Sequence, residues 1–250
     1  MKKYTTYIAI DDTDELNYHT STGKIALNIQ QQLESTFSLQ TSVLTRHQLL
    51  MDAKVPYTSH NSAMCFGITS HNYNLEDIKK FIIESVTNQA ANSSAPGICI
   101  CSEQNITNKE TFIEYGFDAK DIVLDIEKAF KIAKEQNIFL LGLKENKQGV
   151  IGALAAVALR ISGNDGALKG ALKLQKDYTS YNEIMQYNYF DKIELLDQTS
   201  IDTSVKIYTK EGLKALYLNH QKVLLVEKKD DCYTPLEKEK ILHYRVKNAN

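Results

Sequence analysis

Between an apolar run ending at Ile10 and an apolar pattern beginning at Ile25, the chain reads IDDTDELNYHTSTGK. Asp11, Asp12 and Asp14 are hard oxygen ligands, and magnesium is held by one or two such carboxylates plus substrate phosphates. Thr20, Ser21, Thr22, Gly23 and Lys24 follow at the entrance of a helix, where free amides and the helix dipole favour an anion. Together these residue types suit phosphoryl transfer: a cation between carboxylates and phosphate, amides and Lys24 on the phosphates, and a hydroxyl such as that of Thr22 to accept a group. The same letters also suit an Asx-type turn with Ser21 or Thr22 capping the helix, and both readings stand on the residues alone. A Walker loop is excluded, because G-x-x-x-x-G-K-[ST] needs glycine where Tyr18 stands and a hydroxyl where Ile25 stands.

Two further stretches carry candidate chemistry. GVIGALAA starts a second helix with Gly149 and Gly152, which allows close approach of either a ligand or a neighbouring helix. At its far end Arg160 leads into SGNDG, where Gly163 suits a C-cap and Asp165 offers a carboxylate. VPYTSHNSAMC sets Pro56, Tyr57, Thr58, Ser59, His60 and Asn61 before a strand, with Arg46 on the neighbouring strand to meet phosphate or carboxylate. A serine nucleophile is not read there, since no G-x-S-x-G elbow is present. Cys65, Cys99, Cys101 and Cys232 lack C-x-x-C spacing, and Cys99 and Cys101 share one face of a strand, which favours burial over a metal site or a disulfide.

The elements that must position these residues follow from periodicity. Tyr4 to Ile10 is β-branched and aromatic, and Ile25, Ala26, Ile29 and Leu33 recur at helical spacing. LQTSVLTRH and SAMCFGIT read as strands, LEDIKKFIIESVT as a helix with Ile78, Phe81, Ile82 and Val86 inward, and GICICSE as a strand after the turn NSSAPG. The order β-α-β-β-α-β is the split βαβ pattern of a ferredoxin-like sandwich. A helix through DIVLDIEKAFKIAKEQN, a short apolar IFLLGL and the Gly/Ala-rich helix follow. SVKIYTK, KALYLNH and KVLLVEK are short strands, with Asn219-His220 in a hairpin turn. The expected fold class is α+β: ferredoxin-like layers with an added Gly/Ala-rich helix over residues 1–180, and a small β-rich unit over 185–250.

The chain has 250 residues, enough to bury a sizeable core, and Lys+Arg 29 against Asp+Glu 31 gives no overall basic excess for nonspecific nucleic-acid binding. Its apolar runs are too short to cross a bilayer and MKKYTTY is not a signal-peptide core, so a cytoplasmic protein with no membrane partner is expected. The exposed edge of a ferredoxin-like sheet invites a homodimer.

IDDTD with its Ser/Thr-rich helix start, Arg46 with VPYTSHNSA, APG, and GVIGALAAVAL occur in the order found in archaeal tRNA agmatidine synthetases. The chain resembles that family over roughly residues 4 to 175, and short bacterial relatives more closely over PYTSHNS and SGNDG. The resemblance implies an ATP-dependent, kinase-like site beside a ferredoxin-like domain. It implies that Asp11, Asp12 and Asp14 hold magnesium and phosphates, and that Thr22 matches a threonine that becomes phosphorylated. Thr13, Ser21, Gly23, Lys24, Gly149 and Gly152 would line the nucleotide, and Arg46, His60 and Asn61 the acceptor. The family's OB-fold and zinc ribbon find no counterpart in the remaining residues, which hold one cysteine, Cys232, and Thr58, Ser59 and His60 replace the Lys-Thr-Arg character of the archaeal motif. The expected activity is ATP- and magnesium-dependent phosphoryl transfer or ATP hydrolysis with a small-molecule or RNA acceptor. The competing class is a non-catalytic nucleotide or small-ligand-binding or accessory protein.

Overall fold

Alternation of apolar residues sets the first strand, β1 (Thr6–Asp11), in the middle of a sheet: Ile8 and Ile10 point to one face and Ala9 to the other. In the computed structural model, which describes residues 5–16, 18–55, 60–69, 73–237 and 240, the chain divides into two compact units, Met1–Ser162 and Gly163–Asn250. The division lies at the end of the Gly/Ala-rich helix, whereas the sequence reading places it after residue 180.

In the first unit β1 leads into α1 (Thr22–Phe37), then β2 (Gln40–Thr41), β3 (Thr45–Gln48), β4 (Ser62–Thr69), α2 (Leu75–Gln89) and β5 (Gly97–Ser102). All ladders are antiparallel, with β1 between β4 and β5, and β2 and β3 pairing successive stretches of β4. The order β5-β1-β4-β3 is the ferredoxin-like arrangement expected from the split βαβ pattern. β6 (Phe139–Gly142) adds a strand beside β5, so that edge is extended. Ile25, Ala26, Ile29 and Leu33 of α1 and Ile78, Ile82 and Val86 of α2 bury against Ile8, Ile10, Met64, Phe66 and Ile98 on one face.

The opposite face is covered by α5 (Gly149–Ser162), with α3 (Lys109–Asp121) and α4 (Ile126–Glu135) outside it. Cys65, Cys99 and Cys101 lie in this layer as free, buried thiols, and burial pushes the Cys65 and Cys101 thiols up to about 12. They are inert packing groups, as their strand spacing suggested. α3 was not foreseen, although Phe112, Tyr115, Gly116 and Ala119 repeat at helical spacing and Asn108 caps it by accepting from the Thr111 amide at 3.0 Å. The helix expected through DIVLDIEKAFKIAKEQN is shorter, because Asp125 accepts from the Lys128 amide at 2.6 Å and so starts α4 after Val123 and Leu124.

The second unit is the β-rich one. It contains β7 (Ala167–Leu168), β8 (Tyr178–Thr179), α6 (Tyr181–Gln186), β9 (Lys192–Leu195), β10 (Lys206–Tyr208), β11 (Leu216–Leu218), β12 (Gln221–Lys229) and β13 (Cys232–Pro235). The nine-residue β12 is its spine, pairing in turn with β11, β9 and β13. Asn219 and His220 take φ of 50° and 58°, the primed turn whose twist matches a tight hairpin. Ile184, Phe190, Ile207, Leu224 and Val226 form its main core.

Candidate functional site

Two helices begin at the end of β1, one on each face of the sheet. α1 follows β1 directly and packs with Ile8 and Ile10, whereas α5 packs with Ala9. Asp11 pairs with Gly97 at the start of β5, and a side chain on Gly97 would bring Cβ within 2.1 Å of the Gly149 carbonyl carbon. α5 therefore starts in contact with the backbone of β1 and β5, a closeness only glycine permits.

Asp11 projects toward α5, where a Cβ on Gly152 would lie 1.8 Å from its Oδ2. Burial, with Asp12 and Asp14 adding like charge, pushes the Asp11 carboxyl up to about 8. Asp12 holds a left-handed backbone at φ 51°, which aspartate tolerates better than most residues, and its Oδ2 accepts from the Ala95 amide at 3.3 Å. Burial also raises the Asp12 carboxyl, opposed by the Ala95 bond and Lys144, with Asp14 adding to the rise. Asp14 Oδ2 accepts from the Thr22 amide at 3.2 Å. The buried Thr13 donates to Thr22 Oγ1 at 3.0 Å, and its carbonyl accepts from the Ala91 amide at 3.0 Å.

At the α1 entrance Ser21 is the N-cap, its hydroxyl accepting from the Lys24 amide at 3.3 Å. Thr22 and Gly23 are buried and Lys24 is exposed. The Thr22 amide goes to Asp14 and those of Lys24 and Ile25 to Ser21, while the Gly23 amide meets no acceptor among the described residues. At the α5 entrance the amides of Gly149, Val150 and Ile151 go to the carbonyls of Ala95, Lys147 and Gln148. The site is thus asymmetric: α1 offers an open amide beside hydroxyls, and α5 offers glycine surface to a desolvated carboxyl.

Asp11, Asp12, Thr13, Asp14, Ser21, Thr22, Gly23, Lys24, Gly149 and Gly152 all gather here. Arg46, His60 and Asn61 stand apart in a second polar group. Arg46 Nε donates to Ser62 Oγ at 2.9 Å and Nη2 to Gln48 Oε1 at 3.2 Å, and its burial lowers the guanidinium from its usual range. Asn61 Nδ2 donates to the Leu50 carbonyl at 2.6 Å, and Gln48 Nε2 to the Asn61 carbonyl at 2.7 Å. His60 is exposed, and Pro56 to Ser59 lie outside the described residues. Arg46 pairs with Met64 in register, so it emerges on the α1 face of the sheet, opposite the face on which Asp11 meets Gly152. Leu49 connects the groups, since the same Cβ on Gly152 would lie 3.0 Å from its Cδ1.

The sequence reading missed the 90–96 connection as a wall of the site. Besides Ala91 and Ala95, Ser93 donates to Glu15 Oε2 and Tyr18 donates to the Gln89 carbonyl at 3.3 Å. Lys144 Nζ in turn donates to the Ala91 carbonyl at 2.9 Å and to that of Asn92. NSSAPG is legible as a turn and, through APG, as one motif of the resemblance, but not as a wall of the site.

For a magnesium ion, the chemistry of the set is favourable: Asp11 and Asp12 are adjacent, desolvated carboxyls that a cation would relieve. Among the described residues no three His, Cys, Asp or Glu side chains form a group that could hold a metal, so the fit is to an ion that takes part of its shell from phosphate and water.

No protein-family model and no curated protein matches the sequence. Among solved structures, the chain is similar to TiaS, an agmatidine synthetase acting on an isoleucine tRNA. The complex of TiaS with that tRNA and ATP is 20% identical with a TM-score of 0.56, over 79% of this chain and 49% of that one. The TiaS complex with the same tRNA, AMPCPP and agmatine is 20% identical at 0.55, over 74% and 45%. A tRNA fluorescent labeling enzyme is 21% identical at 0.54, over 75% and 45%. The chain spans about half the length of these proteins and shares their α+β fold, the fold that the sequence resemblance implied.

Proposed function

We propose that the first unit is an ATP- and magnesium-dependent phosphoryl-transfer site, with an RNA or small-molecule acceptor. The observation that carries this reading is the α1 entrance, where the buried Gly23 amide has no acceptor among the described residues and Thr22 stands between Thr13 and Asp14. An anion at a helix start satisfies such an amide and is favoured by the dipole. Support comes also from the shared fold, since two of the similar structures hold ATP or AMPCPP beside tRNA.

The phosphates lie on the Gly23 amide, with Lys24 and the Ser21 hydroxyl at the rim. Asp11 and Asp12 would hold magnesium, which would offset phosphate charge. The Thr22 hydroxyl attacks the γ-phosphorus: the Thr22 Oγ1–phosphorus bond forms, the bond to the β-phosphate oxygen breaks to release ADP, and the hydroxyl proton passes to Asp14. Asp14 suits that role better than Asp12, because Asp14 bonds the Thr22 amide whereas Asp12 is turned to Ala95. Thr22 Oγ1 accepts one bond from Thr13, which leaves its second lone pair for the attack. The phosphoryl group then passes to the acceptor.

Incubation with γ-labelled ATP and magnesium tests this. Label should appear on the protein and vanish in Thr22→Val. ATP bound but never consumed would replace this reading with that of a non-catalytic binding protein, and absence of ATP binding would overturn both.

A further inference from the structure

Lys144 lies in the turn between β6 and α5, and its ammonium grips two consecutive carbonyls, those of Ala91 and Asn92. The amides of the same connection face the carboxylate loop: Ala91 donates to the Thr13 carbonyl at 3.0 Å and Ala95 to Asp12 Oδ2 at 3.3 Å. A peptide plane cannot turn its carbonyl without moving the neighbouring amide. Holding the carbonyls of 91 and 92 toward Lys144 therefore fixes the 91–92 and 92–93 peptide planes, which adjoin the Ala91 donor and begin the run that ends at the Ala95 donor. Besides Lys144, side chains and backbone hold this irregular stretch at other points: Ser93 donates to Glu15 Oε2, Ser94 bonds back to Ala91, and Leu143 and Gly149 hold its last residues through the carbonyls of Pro96 and Ala95, so that Lys144 is the group that holds the Asn92 carbonyl. The Lys144 charge also favours the ionised form of Asp12.

We propose that Lys144 is a positioning residue of the candidate site, its ammonium locking the 91–95 connection so that the Ala91 and Ala95 amides hold Thr13 and Asp12 in place. The consequence for catalysis rests on the proposed nucleotide reading; the positioning itself does not. The plainer role for such a lysine is to cap the C-terminus of α2, which ends at Gln89 just before these carbonyls. The two roles protect different amides.

Amide hydrogen exchange of the intact chain and of Lys144→Met separates them. Positioning predicts exchange about tenfold faster or more at Ala91 and Ala95, with the amides of α2 and of β5 at Ile98 and Ile100 unchanged, and recovery in Lys144→Arg. Unchanged exchange at Ala91 and Ala95, or acceleration centred on the last turn of α2, overturns the proposal. In the second arm, magnesium-ATP affinity should fall about tenfold in Lys144→Met but fall no further in Lys144→Met combined with Asp12→Asn than in Asp12→Asn alone. Additive losses would mean that Lys144 acts on the nucleotide and not through Asp12. If the intact chain binds no nucleotide, the functional reading fails and the exchange arm alone decides the proposal.

Discussion

The α1 and α5 entrances flank the same strand end on opposite faces, yet they are built in opposite ways. α1 begins with hydroxyls, a serine cap and the amide of the buried Gly23 left open, whereas α5 begins with Gly149, whose amide goes to the Ala95 carbonyl, and sets Gly152 against the Asp11 carboxyl. Both are helix starts after polar loops, so the dipole is common to them and cannot be what distinguishes their roles. What differs is what each start faces, hydroxyls at α1 and a desolvated carboxyl at α5, and for that reason the proposed function puts the anion at α1.

Substitutions break or sharpen that contrast. The largest effect is expected at Gly97, where any side chain meets the Gly149 backbone: Gly97→Ala should cost about 3 kcal/mol or more in denaturant unfolding, because backbone cannot step aside. Gly152→Ala meets chiefly a side chain, so it should cost about 2 kcal/mol and be largely relieved in an Asp11→Ala background. Additive losses there would mean that Gly152 is not seating Asp11.

Asp11→Asn reads the electrostatics. Because the folded carboxyl is raised to about 8, ionisation opposes folding, and native stability is lost as pH rises from about 4 through about 8. Asp11→Asn should remove this slope and leave the variant more stable at pH 9 by on the order of 2 kcal/mol, while weakening magnesium-ATP binding. Parallel stability–pH curves for the two proteins would refute the desolvated carboxyl. The smallest effect belongs to the α1 cap: Ser21→Ala should cost about 1 kcal/mol in thermal unfolding, as for an ordinary N-cap.

Legibility followed the range of the forces involved. β1, α1, β4, α2 and β5 were readable because each carries its own apolar period, and their order alone implied the ferredoxin-like sheet. The carboxylates, Ser21 and Thr22 were readable because they lie within one loop and its cap. The Asp11–Gly152 seat and the Lys144 grip join residues far apart in sequence, and nothing local in KENKQG or GVIG indicates a partner. α3 was overlooked although its spacing was present, because its polar residues KETFIEYGFDAKD dilute the apolar signal. Arg46 and Asn61 were legible as polar residues near the strand end, but the pleat directs Arg46 to the face opposite Asp11.

The central claim is that the α1 entrance takes the phosphates of ATP with magnesium between them and the carboxylates. Calorimetric titration of ATP into the intact chain, with and without magnesium and again with Asp12→Asn, tests it most directly. The account predicts saturable, one-to-one, magnesium-dependent heat that is weakened at least tenfold by Asp12→Asn. No heat with the intact chain, or binding indifferent to both magnesium and Asp12, would contradict it.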